Sequence, residues 1–147
     1  LEMMSSNVTS LTRLSLREVG GREIEHVAEQ LLRNNTSLEW LEIGNCSSEL
    51  RHLRMDCLQS STYLKQLGIF KCPALHSVPN LQGSTMLESL MMGGFDGMES
   101  LPEWLGTLFN LRELHIWDCS NVKELPSREA MTGLSKLDKI WIQYCPL

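Results

Sequence analysis

Apolar and polar residues alternate in short segments along the chain, and each of these segments starts with leucine. Alternation with a period of two is typical of a β-strand that buries only one face. Six segments align without gaps: LTRLSLREV, LEWLEIGNC, LKQLGIFKC, LESLMMGGF, LRELHIWDC and LDKIWIQYC. They begin at Leu11, Leu38, Leu64, Leu87, Leu111 and Leu137, so successive starts lie 27, 26, 23, 24 and 26 residues apart. The alternation therefore predicts six short strands in a chain built from repeats.

Two positions in every copy predict how the copies pack. When the first leucine is counted as offset zero, offsets three and five are always apolar, as in Leu114 and Ile116. A single strand cannot bury such residues, but stacked copies bury them together and pair their strands in parallel at about 4.8 Å per step. The spacing is that of leucine-rich repeats. We therefore predict an α/β fold, a curved leucine-rich-repeat solenoid of about six repeats with a parallel sheet on its concave face.

The segments between the strands must return the chain over the outer side. Between Arg22 and Asn34, five apolar residues have the spacing of one helix face; they are Ile24, Val27, Ala28, Leu31 and Leu32. In later returns Pro79, Pro102 and Pro126 favour extended or turn geometry because proline fixes φ. The strand-like segment LRHLRMD begins at Leu50, only 12 residues after Leu38, which is too short for a complete coil. We interpret it as part of a return over Ser47–Thr62.

Length and charge narrow the class of protein. A chain of 147 residues fits one domain, and we predict a single leucine-rich-repeat domain over residues 1–147. Because the chain starts at Leu1 rather than methionine, we expect a piece of a longer protein. The net charge of −5 argues against general nucleic-acid binding and against electrostatic docking on an anionic membrane. No apolar run approaches the roughly 18–20 residues of a membrane span, and residues 1–10 do not have the pattern of a secretory signal.

Four of the five cysteines lie at offset eight of the repeat, just after the predicted strand: Cys46, Cys72, Cys119 and Cys145. A small residue that is readily buried suits this position. The spacing lacks the CxxC pairs of a zinc site. Neighbouring coils bring Cys46 near Cys72 and Cys119 near Cys145, but their side chains point in parallel, which is poor geometry for a disulfide. We therefore expect buried thiols, and we expect the off-phase Cys57 to pack in its return segment.

The sequence does not predict an enzyme. The four histidines, His26, His52, His76 and His115, have no cysteine or serine partner at a catalytic spacing. No GxSxG, HExxH or glycine-rich phosphate loop is present, and Gly93 and Gly94 lie at a strand end rather than between a strand and a helix. We expect the histidines to be solvated or packed in return segments, and we expect no catalytic residue, no metal and no cofactor in this chain.

A longer unit is more specific than the repeat alone. CPALHSVP (72–79), FDGMESLP (95–102) and CSNVKELP (119–126) follow successive strands, and LPEWLG (101–106) leads into the next one. This pattern resembles the C-terminal leucine-rich repeats of plant intracellular nucleotide-binding immune receptors (NLR disease-resistance proteins), especially those with a coiled-coil start. The chain departs from the pattern in its long second repeat and in Phe95, which replaces the cysteine.

The resemblance implies a function and partners. Such repeats help to hold a nucleotide-binding switch module inactive, and they recognise a pathogen effector or a host protein that the effector modifies. ATP or ADP would bind only in that separate domain, whose motifs are absent from these residues. The resemblance also implies a cytoplasmic location, although other domains could place the receptor at the nucleus or a membrane.

Residues at offsets two, four and six should point away from the core, with offset seven at the rim. Five of the nine aromatic residues occupy these positions, and exposed aromatic clusters rimmed by charge usually mark interaction surfaces. The residues that we expect to bind a protein partner are Arg13, Arg17, Trp40, Glu42, Phe70, Lys71, Met91, His115, Trp117, Trp141 and Tyr144. For Trp141 and Tyr144, packing against further repeats is an equal alternative, whereas Trp104 is expected to be structural.

Two other functions are compatible with the sequence. In one, the repeats serve only as an intramolecular clamp on the switch module. In the other, the chain belongs to a secreted or cell-surface recognition protein, which four Asn-x-Ser/Thr sequons at Asn7, Asn34, Asn35 and Asn45 favour.

Overall fold

The computed structural model describes residues 8–18, 22–53, 58 and 61–147. Its centre is a parallel sheet of six strands that follow one another in chain order. The strands are β1 (Arg13–Arg17), β2 (Trp40–Gly44), β3 (Gln66–Phe70), β4 (Ser89–Gly93), β5 (Glu113–Trp117) and β6 (Lys139–Gln143). Each strand occupies offsets two to six of its predicted copy.

The register aligns equivalent offsets across the whole sheet. Leu14 pairs with Leu41, Leu41 with Leu67, and the same column continues through Leu90 and Leu114. In β2 to β5, the side chains at offsets three and five are completely or almost completely buried. The aliphatic residues that define the repeat therefore form one continuous core behind the sheet.

The two outer strands bury less of the same columns. Leu14 and Leu16 on β1 are only partly buried against the core. On β6, Ile140 and Ile142 are 46% and 36% exposed. Each of these strands pairs with a neighbour on one side only among the described residues, so part of its inner face remains in contact with solvent.

The returns behind the sheet differ in structure. Helix α1 (Arg22–Asn34) forms where the helical spacing predicts it, and its Ala28 and Leu32 are buried. The side chains of Ile24 and Val27 lie outside the described part of the structure. Later returns contain a 3-10 helix (Glu103–Thr107) after the extended Pro102, and the short helix α2 (Arg128–Gly133).

The long second return contains no strand over residues 47–53, as the sequence predicts. His52 makes one isolated parallel bridge with Ser77 of the next return. Leu50, Leu53 and Leu58 are buried beneath it. Cys57 lies outside the described residues.

The cysteine positions give a correction. Cys46 and Cys72 form a disulfide with a Cα–Cα distance of 4.6 Å, so our prediction of free thiols is wrong for this pair. The parallel register stacks these equivalent residues of adjacent coils, and the 4.6 Å between their Cα atoms is within the usual range for a disulfide. Cys119 and Cys145 are free, and Cys119 is buried. Burial raises the pKa of the Cys119 thiol to about 12, which keeps this thiol protonated at neutral pH.

Candidate functional site: the exposed face of the sheet

The side chains at offsets two, four and six form three rows across one face of the sheet, called here the exposed sheet face. The rows are Arg13, Trp40, Gln66, Ser89, Glu113 and Lys139; Ser15, Glu42, Gly68, Met91, His115 and Trp141; and Arg17, Gly44, Phe70, Gly93, Trp117 and Gln143. The rows follow directly from strand alternation, because offsets three and five are turned to the core. Nine of the eleven residues predicted to bind a partner lie in these rows.

The other two predicted residues, Lys71 and Tyr144, lie at the rim rather than on a strand. Offset seven has a positive φ in every copy, with values of 53° and 54° at these two residues. At Gly94, the equivalent residue with φ 73°, an added Cβ would lie only 2.9 Å from the Lys71 backbone nitrogen. This left-handed turn ends each strand and directs the chain inward toward offset eight.

Arginines cover the aromatic rings at the amino-terminal end of the face. The Arg13 guanidinium lies 4.6 Å from the centre of the Trp40 ring, and the Arg17 guanidinium lies 5.5 Å from that of Phe70. Arg17 also forms an ion pair with Glu42 at 2.6 Å. Cation–π contacts of this kind contribute about 0.5–1 kcal/mol each at exposed sites. In this half of the exposed sheet face, each of these two rings therefore already has an arginine of the same chain over one of its faces.

Glycines on the face provide room for the rings of the following strand. A Cβ added to Gly44 would come within 2.5 Å of the Phe70 ring, and a Cβ added to Gly93 would overlap the Trp117 indole. Phe70 and Trp117 therefore lie across the preceding strand rather than standing free. The sequence did not predict this packing. Because of it, Phe70 and Trp117 contribute to the packing of the sheet as well as being partly exposed.

The carboxyl-terminal half of the face contains a shallow pocket. It is lined by His115, Ile116, Trp117, Trp141 and Gln143, and has a volume of about 230 Å³. The His115 and Trp141 rings lie opposite each other in register, with centroids 4.1 Å apart and planes inclined by 44°. The Trp117 indole leans toward Gly93, away from β6, so a hollow remains between the two tryptophans.

Charges beside this pocket are partly paired. Lys139 Nζ donates to Glu113 Oε1 at 2.6 Å, and this hydrogen bond lowers the pKa of the Glu113 carboxyl and raises that of Lys139. His115 Nε2 lies 3.8 Å from Glu113 Oε2 and is covered without a hydrogen-bond partner in the described structure. On the other side, Asp118 is exposed at the rim with φ 49°.

Three exposed apolar residues near the beginnings of strands are among those that the sequence interpretation missed. Tyr63, Met86 and Phe109 are 58%, 43% and 48% exposed. Tyr63 and Met86 directly precede the first leucine of their copies and Phe109 lies two residues before Leu111, all at the opposite end of the strands from the turn. Their signal in the sequence was a large apolar residue one or two positions before the repeat leucine, where the second and sixth copies have polar residues at both positions.

The remaining histidines contact neighbouring residues in the returns. His26 Nε2 lies 3.1 Å from Gln30 Nε2, His52 Nδ1 lies 3.5 Å from Ser77 Oγ, and His76 Nδ1 lies 2.6 Å from the Ala74 carbonyl oxygen. Within the described part of the chain, no three histidine, cysteine or acidic side chains are grouped so that they could hold a metal ion. None of the described helices is long and apolar enough to cross a membrane.

The repeated register, the continuous aliphatic core and the row-wise exposed face define a leucine-rich-repeat protein. Residues 55–145 match the family described as R13L1/DRL21 leucine-rich repeats, and the chain belongs to this family. This match, together with the two relatives described next, confirms the predicted relationship to plant disease-resistance proteins.

Two relatives from Arabidopsis thaliana agree with this assignment. The protein SUPPRESSOR OF npr1-1, CONSTITUTIVE 1 is 28% identical over 132 residues, which is 90% of this chain and 8% of the relative. Disease resistance protein RPP5 is 32% identical over 65 residues, which is 44% of this chain and 4% of the relative. The chain therefore spans less than a tenth of the length of either relative.

The fold is also found in a solved structure. The leucine-rich-repeat domain of the type III effector XopL superposes with a TM-score of 0.60 at 18% identity, over 97% of this chain and 55% of the other. This likeness confirms the predicted solenoid fold. Leucine-rich-repeat domains are interaction folds that are not typically catalytic.

Proposed function

We propose that this chain recognises proteins through its exposed sheet face as part of a plant immune receptor. Its partner is a pathogen effector or a host protein altered by one, and the same repeats contribute to autoinhibition by contacting the receptor's nucleotide-binding domain. The proposed location is the cytoplasm. Nucleotide belongs to the separate domain, and the repeats themselves need no cofactor.

The observation that carries this proposal is the exposed aromatic surface on β5 and β6. Trp141 is 44% exposed and Tyr144 82% exposed, while Trp117 and His115 are partly exposed beside them. Aromatic side chains are enriched among the residues that dominate binding energy at protein interfaces. His115, Trp117 and Trp141 are carried on regular strands, which hold them in fixed positions and reduce the entropy lost on binding.

The test is a binding titration of the 147-residue chain with candidate effectors and, separately, with the receptor's nucleotide-binding domain. Phe70→Ala and Trp117→Ala should each weaken binding by about 1–3 kcal/mol, because each removes a partly exposed ring from the exposed sheet face. Since both rings also cover a glycine, circular dichroism must first show that each variant is folded at the temperature of the titration.

Tyr63→Ala and Phe109→Ala are the matched controls. They remove exposed aromatic residues that lie outside the exposed sheet face, and they should change binding by less than about 0.5 kcal/mol. If the controls weaken binding while the sheet-face variants do not, the partner binds at the amino-terminal ends of the strands and the proposal is wrong. Binding only to the nucleotide-binding domain would favour the intramolecular clamp instead.

One observation favours a second candidate, a secreted or cell-surface recognition protein. The Cys46–Cys72 disulfide is of a kind that persists mainly in oxidising compartments. Of the four sequons, Asn35 is buried and its amide nitrogen donates to the Val8 and Leu31 carbonyl oxygens, so a glycan there would disrupt the fold. Asn45 is exposed at the rim and could carry one, whereas Asn7 lies outside the described residues.

Lysis of plant cells directly into denaturant with an alkylating reagent, followed by peptide mapping, would separate the two candidates, because Cys46 and Cys72 are buried in the folded chain. An intracellular receptor should yield alkylated Cys46 and Cys72 and an unmodified Asn45. A secreted protein should instead yield the linked cysteine peptides and a glycan at Asn45.

A further inference from the structure

The pocket lined by His115, Trp117, Trp141 and Gln143 differs from the aromatic positions at the other end of the exposed sheet face. Trp40 and Phe70 each have an arginine of the same chain over the ring. Among the described residues, no arginine or lysine lies over Trp117 or Trp141. The chain therefore presents two indoles that no described arginine or lysine covers, although each packs within the chain on one side, Trp117 against Gly93 and Trp141 against His115.

The charges around the hollow favour a cation. Glu113 and Lys139 are paired at 2.6 Å and largely cancel. The Asp118 carboxylate does not line the hollow, but it follows Trp117 in the chain, is exposed at the rim, and has no hydrogen bond or ion pair with any described residue. Gln143, which does line the hollow, has an amide oxygen that can accept hydrogen bonds. The chain as a whole carries a net charge of −5.

We propose that this pocket binds an arginine side chain of the protein partner, with the guanidinium between the Trp117 and Trp141 rings and near Asp118. The inference rests on the proposed function, since it names the group that the exposed sheet face recognises. A planar guanidinium fits better than an ammonium because it can stack on an indole while its N–H groups donate in-plane hydrogen bonds to Gln143, and the Asp118 charge at the adjacent rim favours a cation.

The geometry also explains why the hollow is open. Gly93 lets the Trp117 indole lie across β4, and Trp141 packs against His115, so the space beside Gln143 stays open while both indoles still line it. A residue with a side chain in place of Gly93 would displace the Trp117 ring toward β6. The pocket therefore depends on a glycine two strands away from one of its walls.

The experiment uses NMR of the 147-residue chain, in which four tryptophans give four indole N–H signals. The probes are the N-acetyl amides of arginine, citrulline, lysine and phenylalanine, added at constant ionic strength. The arginine probe should shift the Trp117 and Trp141 signals, leave those of Trp40 and Trp104 in place, and bind about fivefold more tightly than the uncharged citrulline probe.

Matched variants identify the groups responsible. Asp118→Asn should weaken the arginine probe by about two- to fivefold, whereas Asp138→Asn, an exposed acid before β6, should not change it. Trp117→Leu should abolish the shift at Trp141, whereas Trp40→Leu should leave it intact.

Three outcomes would overturn the inference: equal binding of arginine and citrulline, tighter binding of the phenylalanine probe, or no shift at either pocket tryptophan. Each would leave the wider proposal open to its own test. If Trp117→Ala still weakens a whole protein partner, the exposed sheet face binds proteins by a group other than arginine.

Discussion

Single residues on the exposed sheet face act in pairs across neighbouring strands. The clearest pairs join a glycine to the aromatic residue that follows it in register, Gly44 with Phe70 and Gly93 with Trp117. Gly68 differs, because a Cβ there would lie 3.7 Å from the Met91 methyl carbon, an ordinary contact. The effect of a glycine-to-alanine substitution on stability therefore depends on the side chain that faces the glycine from the next strand, and not on the position of the glycine in its own strand.

Gly93→Ala should destabilise the chain by about 1–3 kcal/mol, because the new Cβ and the Trp117 indole cannot occupy the same space. Gly68→Ala is the control and should be neutral or slightly stabilising, since alanine loses less backbone entropy on folding than glycine. Urea unfolding measures both, and the Trp117 indole signal reports the displaced ring. Equal stability of the two variants would contradict this account.

Among the secondary-structure elements, the return that contains the 3-10 helix and the return that contains α2 are connected by the Glu103 carboxylate. Glu103, at the start of the 3-10 helix, accepts from the backbone N–H and the hydroxyl of Ser127, both at 2.6 Å. Ser127 in turn caps α2 by accepting from the Ala130 N–H at 3.1 Å. Gly106 and Gly133 let the two helices approach, because a Cβ on either would overlap backbone atoms of the other helix.

The Ser127 hydrogen bonds lower the pKa of the Glu103 carboxyl, which predicts a pH dependence. A lowered folded-state pKa means that the stabilisation is present above the unfolded-state pKa and is lost as the pH falls through the folded-state value. Glu103→Gln should therefore be less stable than the natural chain at pH 7, and the difference should shrink at pH values below the ordinary carboxyl range.

Unfolding curves of both proteins across this pH range provide the measurement. Glu99→Gln is the control, because its carboxylate makes no hydrogen bond or ion pair with any described residue. A difference between Glu103→Gln and the natural chain that stayed constant with pH would show that the carboxylate is not the stabilising group.

At the scale of the whole molecule, the core is a column of aliphatic residues whose burial depends on neighbours on both sides. Leu114, between β4 and β6, is 1% exposed, whereas Leu14 on β1 is only partly buried. In repeat proteins, each unit is stabilised mainly by contacts with the adjacent units. The same substitution should therefore have different effects along the column.

Leu114→Ala should lower the free energy of unfolding by about 2–5 kcal/mol, since it leaves a cavity with protein on all sides. Leu14→Ala should have the smaller effect of about 1–2 kcal/mol, because less apolar surface returns to water. Chemical denaturation of the two variants provides the comparison. Equal losses of unfolding free energy in the two variants would mean that Leu14 is as well buried as Leu114.

The fold could be predicted from the sequence because the alternation of offsets three and five fixes both the strands and their register. The three rows of the exposed sheet face follow from the same rule. A period does not specify which side chains meet within a row, however. The arginine–aromatic contacts, the rings over glycines and the Glu103–Ser127 link depend on rotamers and on neighbours more than twenty residues away in the chain.

The disulfide was missed for a related reason. Parallel side-chain directions argue against a bond, but the approach of the two cysteines also depends on the left-handed turn at offset seven, which directly precedes each of them. The sequence does not reveal this turn by a glycine in five copies, where it occurs at Glu18, Asn45, Lys71, Asp118 and Tyr144. In the first five copies, the N–H of the turn residue donates to the last carbonyl oxygen of the next strand, which compensates for the strain. For example, the Asn45 N–H donates to the Phe70 carbonyl oxygen at 3.1 Å.

Phe95 occupies the cysteine position of the fourth copy and is fully buried. Its ring separates Cys46 and Cys72 on one side from Cys119 and Cys145 on the other. A thiolate can attack only a sulfur within reach, so electrons cannot pass from one pair to the other by thiol–disulfide exchange inside the folded chain. Reduction of the Cys46–Cys72 disulfide, or oxidation of Cys119 or Cys145, would therefore not change the redox state of the other pair.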